Sequence, residues 1–170
     1  TMRRDVCTTL SELQQELAKP RTAPVFAYTQ PQNMHISVIQ RANASVLDGA
    51  TYPGFYAPYA SRLRRIDGCF GSFIAFLKDH GLYDDSIVVL TADHGDSLGE
   101  EGRWGHAYTI FPEIMRIPLI FHLPRAMQLP HDATRAAFLT DIPPSLFYLL
   151  GHRPIRSHDT FGRRLFTATL

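Results

Sequence analysis

The stretch Ser86-Ile87-Val88-Val89-Leu90-Thr91 runs straight into Ala92-Asp93-His94-Gly95-Asp96. A short continuous apolar run rich in β-branched side chains reads as a strand buried on both faces. Here it ends in a carboxylate, an imidazole and a glycine. In open α/β sheets the residues that bind ligands gather just beyond the carboxyl ends of strands. Adjacent side chains on a strand point to opposite faces, so Asp93 and His94 can converge on one ion only if the chain turns, and Gly95 supplies the freedom to turn. Asp93 and His94 are therefore the candidate metal ligands, one hard oxygen and one borderline nitrogen. Asp96 lies past the turn, and its substitution is expected to matter less.

Helical and strand patterns alternate around this segment. Ser11 to Lys19 continues a helical spacing of Leu10, Leu13 and Leu17, with Ser11 as its expected cap and Pro20 as its stop. Ala23 to Thr29 reads as a buried strand, and Pro31 to Pro58 as a long loop. Tyr59, Leu63, Ile66, Phe70, Phe73, Ile74 and Leu77 recur at intervals of three and four, which predicts an amphipathic helix ending near His80-Gly81. Arg62, Arg64 and Arg65 read as its solvated face. Asp96 to Glu113 is a polar loop punctuated by glycine, and Ile117 to Leu123 is the next strand. Thr140 or Asp141 caps a helix running to Leu150, with Pro143 and Pro144 in the first turn and Gly151 at the stop. The expected class is α/β: a mixed, mostly parallel sheet flanked by helices.

Several motifs together resemble the sulfatase branch of the alkaline phosphatase superfamily. They are Thr91-Ala92-Asp93-His94-Gly95-Asp96-Ser97-Leu98-Gly99-Glu100, then Arg103-Trp104-Gly105-His106, then Arg116-Ile117-Pro118-Leu119-Ile120-Phe121. Asp141-Ile142-Pro143-Pro144-Ser145-Leu146-Phe147 resembles a late helix of that family, with Ser145 where threonine is usual. Phe26 to His35 is similar to the family's strand that ends in a substrate-side histidine. The resemblance covers Pro24 to Leu165 and implies an alkaline-phosphatase-like sandwich, present here in part.

The resemblance also implies roles. Asp93 and His94 would hold a divalent metal, with Mn or Zn favoured by the imidazole and Ca or Mg as further options. His35 would contact the transferring group as a catalytic and substrate-binding residue. His106 would serve the leaving group or a second metal; many sulfatases have lysine near this place, whereas phosphoethanolamine transferases have histidine. The family's nucleophile motif, Cys/Ser-x-Pro-x-Arg, is absent, and its nearest approach, Thr29-Gln30-Pro31-Gln32-Asn33, has Asn33 where arginine belongs. Residues 1–170 are thus expected to be the C-terminal part of one catalytic domain, with the nucleophile and remaining ligands in an N-terminal half outside it, and to be inactive alone.

The implied activity is metal-dependent hydrolysis of sulfate or phosphate/phosphonate esters by in-line displacement. One alternative is a phosphoethanolamine- or phosphoglycerol-type transferase acting on envelope lipid or glycan. The other is a non-catalytic remnant that binds a partner through Arg62 to Arg65. The expected partner is a small-molecule, glycan or lipid ester. A formal charge of +1 with 45% hydrophobic residues gives no bias toward nucleic acid. No stretch has the length of a membrane span. Cys7 and Cys69, in unlike contexts, suggest neither a zinc knuckle nor a disulfide framework. Asn43-Ala44-Ser45 fits a glycosylation sequon. His80, His122, His131, His152 and His158 are read as structural, and the compartment implied by the family is periplasmic or otherwise extracytoplasmic.

Overall fold

The computed structural model describes residues 5–30, 34–35, 56–107, 109–127, 129–132, 134–152 and 161–166. The chain forms two compact units, Thr1–His122 and Leu123–Leu170. Most of the expected Pro31–Pro58 loop, the Asn43 sequon and His158 lie outside the described residues.

In the first unit, α1 (Val6–Leu17) packs on α2 (Ala57–Asp79). Helix α1 begins well before the expected Ser11 cap. Val6 and Leu10, four residues apart, both bury against Phe73 and Leu77 of α2, so the apolar stripe extends upstream of the leucines that signalled it. Burying each such side chain contributes roughly 1.5–3 kcal/mol. Asp5 occupies the N-cap position, and its carboxylate accepts two hydrogen bonds from Arg65, at 2.7 and 3.0 Å. Arg65 is therefore not simply part of a solvated face. Helix α2 matches its expected span, and Gly81, with φ +65°, follows its C-terminus.

Cys7 and Cys69 form a disulfide between these helices, with a Cα–Cα distance of 5.3 Å. This overturns the reading that the two cysteines form no disulfide framework. Their sequence contexts differ because one lies on each helix, and only the packing of α1 on α2 brings them together.

Strand β1 (Val88–Thr91) pairs antiparallel with β4 (Leu119–His122), with Val88 opposite His122 and Thr91 opposite Leu119. Between them, β2 (Ser97–Leu98) and β3 (Trp104–Gly105) form a small hairpin inside the segment expected to be only loop, and α3 (Pro112–Met115) follows. Both ladders among the described residues are antiparallel, which a mixed sheet accommodates. Strand β1 is half-buried rather than enclosed on both faces, because Leu90 and its cross-strand partner Ile120 are exposed together.

Ala23 to Thr29 forms no strand. The segment is irregular, and Val25, Phe26 and Tyr28 are exposed. Its apolar composition satisfies the strand pattern, but no strand among the described residues pairs with it, and a lone strand leaves its backbone groups without a ladder.

In the second unit, α4 (Ile142–Leu149) starts after Asp141 as expected. Asp141 is 2% exposed, and its carboxylate accepts the N–H groups of Phe138 and Arg163, both at 2.9 Å. The Ser145 hydroxyl donates to the Asp141 carbonyl (2.6 Å) and accepts the Leu165 N–H (2.9 Å), so the position needs a hydroxyl.

Candidate active site

The site is built where β1 ends, on the β2/β3 hairpin and the backbone behind it. Gly95 N–H donates to the Ile114 carbonyl at 2.8 Å, and a Cβ on Gly95 would lie 2.1 Å from the Glu113 carbonyl oxygen. Glycine is needed here because α3 approaches the backbone so closely, not because the turn requires a positive φ. The hairpin is clamped to the same helix: Ser97 Oγ donates to Glu113 Oε1 at 3.0 Å, and Arg103 bonds Glu113 through Nε and Nη2. Arg103 also pairs with Glu101 and lies 3.7 Å from the Phe111 ring centroid. The Glu113 carboxyl is held below its ordinary value by its own backbone N–H first, with help from Arg103 and Ser97. Arg103 is thus engaged by the scaffold rather than presented to a substrate.

Hairpin register places the chemistry. Ser97 faces Gly105, so the next pair outward is Asp96 and His106. His106 Nδ1 donates to Asp96 Oδ1 at 2.6 Å; the Asp96 side chain is 8% exposed and that of His106 22%. The His94 ring lies 4.0 Å from the His106 ring between centroids, and the His35 ring approaches His106 edge-on at 4.9 Å. The three histidines singled out in the sequence therefore converge. Helix α2 borders the group: Tyr56 packs edge-on against Trp104, and burial, with the Asp96 carboxylate second, raises the Tyr59 hydroxyl above its ordinary pKa.

His94 Nδ1 lies 2.9 Å from the Gly95 carbonyl oxygen. A carbonyl can only accept, so Nδ1 carries the proton and the Nε2 lone pair is left to bind an electrophile. That Nε2 lies 3.9 Å from Asp93 Oδ2. Two donors bonded to one ion at about 2.1 Å can be at most about 4.2 Å apart, so the pair lies within reach of a shared divalent cation once the two atoms draw a few tenths of an ångström closer. Asp93 is exposed, and it accepts from Gln30 Nε2 at 2.7 Å and from the His94 N–H at 3.1 Å. Gln30 belongs to the segment that most nearly matches the family's nucleophile motif. His94, Asp96 and His106 also offer donor atoms within 4.8 Å of one another, a second set sharing His94.

Asp96 is the residue that the sequence argument set aside. The signal that points to it is the hairpin itself: Gly99 and Gly102, both with positive φ, form the turn between two short strands, and this puts Asp96 across from His106. Of the histidines read as structural, His122 donates from Nε2 to the Tyr83 carbonyl (2.9 Å) and stacks on that ring, and His80 bonds the Phe76 carbonyl.

The sulfatase family model matches residues 6–152. An N-acetylglucosamine-6-O-sulfatase of Bacteroides thetaiotaomicron is 27% identical over 100 residues, which are 59% of this chain and 18% of that protein. The multifunctional alkaline phosphatase superfamily protein PehA of Trinickia caryophylli is 32% identical over 81 residues, 46% of this chain and 15% of its own length. A solved structure, described as a complex with its substrate D-glucosamine-2-N,6-O-disulfate, superposes with a TM-score of 0.53 at 23% identity and covers 76% of this chain and 26% of its own. That likeness establishes the α/β fold, present here in part. The chain thus spans under a third of each of these relatives. With the Asp93-His94-Gly95 strand end and the following hairpin inside the matched span, the chain belongs to the sulfatase family.

Proposed function

We propose that this chain carries the metal-binding and leaving-group side of an enzyme that hydrolyses sulfate or phosphate esters, as part of a larger catalytic domain. The observation that carries the reading is the convergence of His35, His94 and His106, with the His94 Nε2 lone pair freed by the Nδ1 bond to Gly95. Asp93 and His94 would hold a divalent metal, Mn or Zn by the character of their donors. When bound, such an ion neutralises the charge that develops on the ester oxygens and acidifies a coordinated nucleophile.

The chain's own residues supply the rest. Gln30 and the His94 N–H hold the Asp93 carboxylate through one oxygen each. Asp96 fixes the His106 ring through Nδ1, which turns Nε2 away from Asp96, where it can donate to a departing oxygen once protonated. His35, edge-on to His106, would contact the transferring group. The name of the N-acetylglucosamine-6-O-sulfatase supports a sulfate ester on a sugar as the substrate, and that of the alkaline phosphatase superfamily protein supports a phosphate ester. The Cys7–Cys69 disulfide supports an oxidising, extracytoplasmic compartment.

The experiment is carried out on the intact enzyme with aryl sulfates and aryl phosphates of graded leaving-group pKa. Asp93→Ala and His94→Ala should remove metal and turnover together. His106→Ala should slow poor leaving groups by about 10²–10⁴ while sparing activated esters, and His35→Ala should slow both alike. Metal retained at full stoichiometry with near-normal rates in the Asp93 and His94 variants would refute the reading. The ratio of sulfate to phosphate turnover assigns the ester.

A further inference from the structure

A cavity of ≈ 350 Å³ in the second unit is lined by His131, Asp132, Arg135, Arg163 and Arg164. Three arginines and one carboxylate, Asp132, line it, and the Arg163 guanidinium also lies 3.9 Å from the buried Asp141 carboxylate. The Asp132 carboxylate is already committed, since Oδ1 accepts the Thr134 N–H at 3.0 Å and the Thr134 hydroxyl at 2.6 Å. These bonds hold its pKa below the ordinary carboxylate value. With Asp132 ionised and Asp141 set against Arg163, two of the three positive charges are offset and the cavity keeps a net positive charge.

Part of the wall is held by contacts of its own. His131 and Phe166 form an isolated antiparallel bridge that joins the two lining segments. The Arg163 N–H is held by buried Asp141 at 2.9 Å, its guanidinium donates to the Ala136 carbonyl, and the Leu165 N–H is held by Ser145. The Arg164 guanidinium lies 4.9 Å from the Tyr148 ring centroid, a cation–π contact that restrains it. Pre-ordered side chains lose less entropy on binding. Arg163 and Arg164 lie beyond residues 6–152, the span matched by the family.

We propose that this cavity binds an oxyanion group, a sulfate or a phosphate, carried on a larger molecule. The planar forks of arginine match tetrahedral oxyanions bidentately, which a lysine cluster would not do. The volume falls within the range of small-molecule sites, which leaves room for the carrier as well as the anionic group. The inference goes beyond the hydrolase reading and does not depend on it, because none of the lining residues belongs to the candidate active site.

The test is arginine modification by phenylglyoxal on the full chain, mapped by peptide mass spectrometry, in sodium chloride, sodium sulfate or sodium phosphate at equal ionic strength. Adducts at Arg135 and Arg164 should form several-fold more slowly in sulfate or phosphate than in chloride, while exposed Arg125 of the same unit reacts equally in all three. The oxyanion that protects at lower concentration identifies the preferred group. Arg164→Gln should abolish the protection of Arg135. Equal rates in the three salts, equal protection of Arg125, or undiminished protection of Arg135 in Arg164→Gln would overturn the proposal. Because the readout is adduct formation, failure here is separable from failure of the catalytic reading.

Discussion

His106 Nδ1 donates to Asp96 Oδ1 at 2.6 Å across the open end of the β2/β3 hairpin, and this bond determines which ring nitrogen of His106 is available for chemistry. A carboxylate that orients a working imidazole typically accounts for about 10–100-fold in metal affinity or activity when removed. Asp96→Asn in the intact enzyme is therefore expected to lower turnover of poor leaving groups by about that factor, with little change for activated aryl esters, and Asp96→Glu should recover part of the loss. An equal loss for both ester types, or a rate like that of the unmodified enzyme, would show that Asp96 only supports the hairpin.

The disulfide has a measurable share in stability. Cys7 and Cys69 close a long loop, with a sequence separation of 62 residues, and loss of such a crosslink costs about 2–4 kcal/mol. Cys7→Ser should lower the denaturation midpoint accordingly. Reductant should lower the midpoint of the unmodified chain to that of the variant and leave the variant unchanged. Insensitivity of the unmodified chain to reductant would exclude the bond.

Asp5 and Arg65 give a pH signature. The Asp5 carboxyl lies below its usual 3.8 chiefly because of the hydrogen bond from Arg65. A depressed folded-state pKa means that the unfolded chain takes up the proton first, so the contribution is present above pH 3.8 and is lost as pH falls through the folded value. The Arg65 side chain is 59% exposed, and solvent screening limits the pair to about 1 kcal/mol or less. Asp5→Asn should be less stable than the unmodified chain at neutral pH, and the gap should close on acidification. A gap that stays constant with pH would assign the effect to something other than this ion pair.

The parts legible in the sequence are those whose burial is decided within one contiguous segment. Helix α2 shows its apolar stripe at three- and four-residue spacing, and β1 and β4 show theirs as short apolar runs. His35, His94 and His106 are singled out by the resemblance to the family, but nothing local to His35 specifies its neighbours, and their convergence is seen only in the structure. What escapes the sequence depends on partners remote along the chain. The start of α1 is set by burial of Val6 against Phe73 and Leu77, and the disulfide by that same packing. Gly95 reads as a turn residue, yet its requirement comes from the Glu113 carbonyl. Ala23 to Thr29 has the composition of a strand, but pairing depends on a neighbour that composition cannot report. Asp96 is overlooked because its partner lies beyond a hairpin too short to show a two-residue period.

The occupancy of the site by a cation is most directly measured by adding Mn²⁺ in substoichiometric steps and following the imidazole resonances of the chain, since paramagnetic broadening detects even weak binding without requiring activity. His94 and His106 should broaden first, with His35 close behind. His80 is the internal reference, because it follows the C-terminus of the 23-residue helix α2, whose first turn borders the site, and a rise of 1.5 Å per residue puts it about 30 Å away. Asp93→Ala and His94→Ala should each shift the broadening to higher Mn²⁺. Broadening of His80 in parallel with His94 and His106, or none at either site histidine, would contradict a metal centre at the end of β1.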